Sequence, residues 1–194
     1  MHEEDAVETM ADADILQALA DRPEEWGQVR ISVPPDTGRF LHVLVQVAKP
    51  KRILEIGMFH GYSTIWIGLA AREVGARITT LELESEKIAV AEANFAKAGL
   101  ADVITVIQGD GKQTLASLAG PYDLVFLDAA KEDYAAYFDL IYPRLSPGGV
   151  IVADNAVSHG EYLEEYFSKV RNHPNCVSVL VPIGTGEEVT YKKG

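Results

Sequence analysis

The chain has 194 residues, 47% hydrophobic and 24% charged, with a single cysteine and a formal net charge of −12. That length is enough for one domain with a continuous core that needs neither disulfides nor a structural metal. An acidic chain without a Lys/Arg cluster cannot release counterions from a phosphate backbone, so neither nucleic acid nor an anionic membrane is an expected partner.

Nine of the acids but only Arg22 fall within residues 1–25. That segment is expected to be solvated and partly frayed, ahead of the main fold at residues 33–194 of a single domain. Asp12–Leu19 and Gly38–Ala48 have helical spacing, with Pro50 stopping the second. The start carries no basic stretch followed by an apolar one, and no apolar run approaches the ~20 residues that span a bilayer, so a cytoplasmic protein is expected. From residue 52 onward, short β-branched runs alternate with longer segments of helical period, the pattern of a parallel sheet covered on both faces. Five strands are predicted, Arg52–Gly57, Arg77–Leu83, Val103–Gly109, Tyr122–Asp128 and Gly149–Asn155, and their near-continuous apolar character suits burial on both faces.

The segments between them read as helices. A turn after the first strand opens one. After Leu83, Ser85 is the expected N-cap, Ile88, Ala91 and Phe95 share a face, and Gly99 ends the helix. Tyr134, Tyr137, Phe138, Ile141 and Leu145 form a stripe on the helix after Asp128, which Pro143 should kink or shorten. Pro147-Gly148-Gly149 reads as the turn into the fifth strand. Leu163, Phe167 and Val170 mark a further helix, and the lone Cys176 reads as a small core residue. Val177–Ile183 and Glu188–Lys193 are strand-like and separated only by Gly184-Thr185-Gly186-Glu187, so they must be antiparallel. The expected architecture is α/β, a Rossmann-like doubly wound sheet of seven strands, five of them parallel and two forming a C-terminal antiparallel hairpin.

In such a sheet, ligands bind outside the carboxyl ends of the strands, where strand order reverses. The first strand runs into Glu55-Ile56-Gly57-Met58-Phe59-His60-Gly61-Tyr62-Ser63. Gly57 and Gly61 would let the backbone approach a ligand closely, or they serve packing alone. Glu82 follows Gly57 by 25 residues, about where a nucleotide-binding domain puts the carboxylate that receives ribose hydroxyls; the alternative for Glu82 and Glu84 is an ordinary exposed acid. Asp110 ends the third strand and either bonds an adenine amino group or is a plain loop residue. Asp128 ends the fourth strand and Asp154-Asn155 the fifth; adjacent strands lie ~4.8 Å apart, so the three side chains converge if these strands are neighbours. Two carboxylates and an amide oxygen are hard ligands suited to Mg²⁺ or Ca²⁺. Lys131, expected on the first turn of the following helix, lies over the same site, and a divalent cation beside it would lower its proton affinity as a general base requires. The competing readings are a helix cap, a turn residue and a surface charge. His60 and His159 read as solvated or core histidines rather than ligand contacts, and Trp26 and Trp66 as packing residues.

The runs LEIGMFHGYST, TLELE, YDLVFLDAAKEDYAAYF and PGGVIVADN, in order between about Val33 and Lys193, resemble class I S-adenosylmethionine-dependent O-methyltransferases of the catechol and caffeoyl-coenzyme A type. The D-x-x-K and D-N elements are much more specific than the Gly turn. The resemblance implies S-adenosylmethionine bound by Val33, Glu55, Gly57, Phe59, Ser63, Glu82, Leu83, Asp110, Gly111 and Asp128, with Glu82 on the ribose and Asp110 and Gly111 near the adenine. It also implies Mg²⁺ (or Ca²⁺) on Asp128, Asp154 and Asn155, and Lys131 and Asp128 as the catalytic pair. The implied partner is a small hydroxylated, catechol-like acceptor, and a homodimer is expected of the type. Two departures point to an open acceptor pocket: Ala130 stands where relatives carry Asp or a large aromatic, and Ala156–Tyr162 is short. The rival readings are a metal-independent methyltransferase, a non-catalytic binding protein, and a nicotinamide-dependent oxidoreductase, the last leaving Asp128, Lys131, Asp154 and Asn155 unexplained.

Overall fold

Residues 10–29 and 32–194 are described by a computed structural model. The apolar runs form strands β1 (Arg52–Ile56), β2 (Arg77–Glu82), β3 (Ile104–Gln108), β4 (Tyr122–Leu127), β5 (Leu145–Ala153), β6 (Cys176–Val181) and β7 (Glu187–Lys192). They join in one sheet in the order β3-β2-β1-β4-β5-β7-β6. The first five are parallel, whereas β7 runs antiparallel to both β5 and β6. Strand order therefore reverses between β1 and β4, and the crevice outside their carboxyl ends is the ligand-binding position of this topology.

The period of two divides each strand between two cores. Ile53, Ile78, Leu124, Phe126 and Val152 face helices α1 (Asp12–Asp21), α2 (Pro35–Ala48), α3 (Tyr62–Val74) and α4 (Ser85–Lys97). Leu54, Leu81, Val125, Leu127 and Ile151 face α5 (Gly111–Ser117), α6 (Tyr134–Ile141) and α7 (Glu164–Asn172). Each of these buried apolar side chains contributes about 1.5–3 kcal/mol over its exposed state, so both helical layers hold the strand ends rigidly in place. Among the described residues no helix is long and apolar enough to cross a membrane.

Several local expectations change. The acidic N-terminal segment is not frayed up to residue 25: Ile15, Leu19 and Trp26 are buried, and Tyr62 donates a 2.8 Å hydrogen bond to the Leu19 carbonyl. Residues 1–9 lie outside the described residues. Ser85 is the first helical residue of α4 rather than its cap, and Glu84 in the cap position pairs with Lys87 instead of the backbone. Pro147-Gly148-Gly149 lies inside β5 as an irregularity, where pairing with β4 jumps from Tyr122↔Leu145 to Leu124↔Val150 and Gly148 takes φ +81°. Such a bulge absorbs unpaired residues without ending the strand. Lys131 sits in a 3-10 turn, Lys131–Asp133, ahead of α6, and Pro143 falls in another that closes that helix.

Candidate active site

The register of β4 with β5 pairs Leu127 with Ala153, and the Asp154 N–H donates to the Leu127 carbonyl at 3.0 Å. Asp128 and Asp154 thus leave neighbouring strands at the same level. Asn155 follows with φ +66°, a left-handed conformation that asparagine tolerates better than other side-chain-bearing residues. Asp128, Lys131, Asp154 and Asn155 all line one cleft of about 760 Å³ at the carboxyl edge of the sheet.

Along the rest of that cleft lie Val33, Gly57, Phe59, Ser63, Glu82, Leu83, Asp110 and Gly111. Gly57 has φ +96°, and a Cβ there would stand 2.0 Å from the Asp128 carbonyl oxygen, so the ends of β1 and β4 can meet only at glycine. Glu82 organises the turn opposite. Its Oε2 accepts from the Phe59 N–H at 2.9 Å, and its Oε1 accepts from the N–H groups of Leu83 at 2.8 Å and Glu84 at 3.0 Å. These bonds hold Phe59 in its left-handed conformation, φ +52°, while the carboxylate keeps lone pairs free toward the cleft. Asp110 caps α5 by accepting from the Gln113 N–H at 3.0 Å.

Glu55 departs from the expected cofactor contacts, because its side chain lies beneath the cleft rather than in its wall. It has no exposed surface and accepts hydrogen bonds from Ser63 Oγ at 2.7 Å and from Thr64 and Thr80 Oγ1 at 2.6 Å each. On β1 it points to the α3 face, so it ties β1, β2 and the first turn of α3 together and reaches the cleft only through Ser63. Burial pushes its carboxyl up to about 7, against the pull of the three hydroxyls.

At the other end, Lys131 Nζ donates to Asp128 Oδ1 at 2.7 Å and to the Ala129 carbonyl at 2.9 Å. Burial raises the Asp128 carboxyl above the ordinary range; the Lys131 ammonium pulls it back and the nearby Asp154 charge adds to the rise. Asp154 is 2% exposed, and its Oδ1 accepts from the Asn155 N–H at 2.6 Å and from Thr185 Oγ1. His60 and His159 both line the cleft, His60 half-buried and His159 exposed at its rim. His60 stacks on Phe59 with ring centroids 4.0 Å apart, and its Nδ1 lies 3.3 Å from the Gly27 carbonyl.

A model of the O-methyltransferase family matches residues 4–180. The chain belongs to the O-methyltransferase family. Over 156 residues it is 40% identical to a catechol O-methyltransferase of Niastella koreensis, covering 78% of this chain and 70% of that one. It is 42% identical over 137 residues to a catechol O-methyltransferase of Mycobacterium tuberculosis, covering 70% and 62%. The match therefore spans only about two thirds of these relatives' length. The structure of an O-methyltransferase from Bacillus cereus in complex with SAH superposes with a TM-score of 0.79 at 26% identity, over 97% of this chain and 93% of that one.

Two residues that build the site of this O-methyltransferase escape the sequence reading. The hairpin loop clamps the segment after Asn155: the Thr185 carbonyl accepts from the N–H groups of Val157 at 3.0 Å and Ser158 at 2.9 Å, while Thr185 Oγ1 reaches Asp154. Glu187, at the start of β7, is fully buried; its Oε1 accepts from Thr37 Oγ1 at 3.0 Å and its Oε2 has no partner among the described residues. Burial first, and the adjacent Asp154 second, push its carboxyl up to about 9. The only available signal was the Gly184-Thr185-Gly186 loop followed by an acid where a buried strand begins.

Among the described residues no cluster of three or more His, Cys, Asp and Glu has a metal-holding arrangement, and the candidate set of Asp128, Asp154 and Asn155 is two acids and an amide. The donor chemistry nonetheless fits a hard divalent cation. Asp128 and Asp154 set two carboxyl groups beside the Asn155 amide in a corner where Lys131 bonds Asp128, and no cationic side chain among the described residues bridges Asp154.

Proposed function

We propose that this O-methyltransferase transfers the methyl group of S-adenosylmethionine to a hydroxyl of a small catechol-like acceptor, with a divalent cation, Mg²⁺ or Ca²⁺, held by Asp128, Asp154 and Asn155. The observation that carries this reading is the juxtaposition, in one cleft, of a Gly57–Glu82–Asp110 wall at one end and the Asp128–Lys131–Asp154–Asn155 group at the other. The catechol O-methyltransferases among its relatives and the SAH in the B. cereus structure support the choice of acceptor and cofactor. A nicotinamide-dependent oxidoreductase would have no use for the second group.

When bound, S-adenosylmethionine supplies a sulfonium methyl that departs from a neutral thioether, and the cation supplies Lewis acidity that lowers the proton affinity of a catechol hydroxyl. The protein's own residues do the rest. Glu82 receives the ribose hydroxyls, and Gly57 and Ser63 border the path between the two ends. Asp154, fixed by Thr185 and the Asn155 backbone, and Asp128, fixed by Lys131, orient the two hydroxyls of the acceptor. Lys131 Nζ, in its neutral amine form, would take the proton of the reacting hydroxyl, and the oxygen so freed would accept the methyl group that the bound cofactor supplies. Holding both reactants in line removes much of the entropic barrier.

The test is methyl transfer to catechol, followed by mass spectrometry with and without EDTA. Monomethylated catechol with Mg²⁺, loss of product in EDTA and recovery on adding Mg²⁺ are expected. Product formation unaffected by EDTA would remove the cation from the reaction and keep the methyl transfer; NADH binding in place of S-adenosylhomocysteine would remove both.

A further inference from the structure

The turn that follows β1 carries two large side chains at positions where small residues usually stand. Phe59 and His60 are its central residues, closed over by the Gly61 N–H, which donates to the Met58 carbonyl at 2.9 Å, and Phe59 takes φ +52°. A bulky residue in that region carries backbone strain, which persists only where the surroundings hold it. The Glu82 carboxylate holds the Phe59 backbone at 2.9 Å. The half-buried His60 holds its ring, stacked on it at 4.0 Å between centroids with the planes 31° apart. Both residues line the cleft.

His60 is tied on two further sides. A carbonyl oxygen can only accept, so His60 Nδ1, 3.3 Å from the Gly27 carbonyl, carries a proton and donates it. Asn94 Nδ2, on α4, donates to the His60 carbonyl at 3.0 Å. Gly27 has φ +82°, and a Cβ there would stand 2.8 Å from both the His60 Cβ and Asn94 Nδ2, so the N-terminal segment can approach the turn this closely only at glycine. Beside it Trp26 is buried, with Lys97 Nζ of α4 standing 3.8 Å from its ring centroid. Farther along the same segment Ser32 and Val33 line the cleft. His60 thus joins the segment that leads to Val33 with the turn that presents Phe59.

We propose that His60 is a positioning residue for the cofactor: by holding Gly27 and covering Phe59 it docks the N-terminal segment against the turn after β1, and the docked pair forms a wall on which S-adenosylmethionine binds. This rests on S-adenosylmethionine as the cofactor. Affinity for the cofactor then depends on a contact made at Gly27, behind the wall.

The experiment measures S-adenosylhomocysteine binding by calorimetry, KM for S-adenosylmethionine and kcat, and the thermal midpoint of the free protein, in the wild type and in His60→Ala, His60→Asn, His60→Phe and Gly27→Ala. Asparagine keeps an N–H donor at the place of Nδ1 without the ring, and phenylalanine keeps the ring without the donor. The stack and the hydrogen bond together are strong enough that His60→Ala should weaken S-adenosylhomocysteine binding by about tenfold. His60→Asn and His60→Phe should each weaken it by less, Gly27→Ala should weaken it from outside the cleft, and the loss should fall on KM more than on kcat. Should His60→Ala fail to fold, His60→Asn and His60→Phe decide on the same terms. Unchanged affinity in the His60 variants, or a loss that follows the thermal midpoint and lowers kcat as much as it raises KM, overturns the role of His60 and leaves the cofactor standing. A wild type that does not bind S-adenosylhomocysteine overturns the cofactor and the proposal together.

Discussion

Lys131→Met should lower kcat for methyl transfer by about 10²–10⁴-fold, the usual contribution of a positioned general base, with the affinity for S-adenosylhomocysteine retained. Methionine keeps most of the length of the side chain beside the Tyr134 ring, over which Nζ stands 5.4 Å from the centroid, but cannot accept a proton. Lys131→Arg is the informative companion. It restores the cation beside Asp128 yet stays protonated at any working pH, so it should recover the charge balance and remain slow. Rapid turnover by Lys131→Met, measured under single-turnover conditions to exclude product release, would show that the proton leaves by another route.

The largest effect on stability is expected at Glu55. Glu55→Ala strands the hydroxyls of Ser63, Thr64 and Thr80, which share this one buried acceptor. An unsatisfied buried polar group costs about 1–3 kcal/mol, so even with some hydroxyls rotating to backbone carbonyls the loss should be about 3–5 kcal/mol. Chemical denaturation measures it. The carboxyl also makes stability depend on pH, with a definite sign. Its ordinary value is 4.5 and the folded protein raises it to about 7, chiefly through burial. The folded state therefore binds the proton more tightly than the unfolded chain. The associated stabilisation is complete below the unfolded value and is lost as pH rises through the folded one, a change on the order of 3 kcal/mol. Relative to Glu55→Gln, which cannot titrate, the wild type should lose stability between pH 5 and pH 8; a difference that stays constant across that range would mean that Glu55 is ionised throughout.

Which parts of this protein were legible in its sequence follows from where the information resides. Asp128, Asp154 and Asn155 could be read because each stands where an apolar run stops, and a doubly wound sheet places such ends together. That β4 and β5 are neighbours was only a condition, since pairing is a tertiary fact that neither strand records; the Leu127↔Ala153 register supplies it. The hairpin was readable because its loop is too short for a crossover. The helix Gly111–Ser117 was not, because seven residues hold too few turns to display a period. Glu55 was assigned to the cofactor through the family resemblance alone, since a strand buried on both faces gives no alternation to show which way its side chain points. Glu187 was passed over for the opposite reason: an acid at a strand start normally faces water, and only the approach of Thr37 from α2, 150 positions away, encloses it. Neither residue stands at the carboxyl end of a strand, where the sequence pattern directs the search for a site.

The central claim is that Asp128, Asp154 and Asn155 hold a divalent cation in the same cleft that takes the cofactor. It is tested most directly by calorimetric titration of Mg²⁺ into the protein preloaded with S-adenosylhomocysteine, alongside Asp154→Ala. The expected result is one Mg²⁺ per wild-type chain, no Mg²⁺ heat in the variant, and retained S-adenosylhomocysteine binding in both. S-adenosylhomocysteine binding without any Mg²⁺ heat in the wild type, or an unchanged Mg²⁺ isotherm in Asp154→Ala, would contradict it.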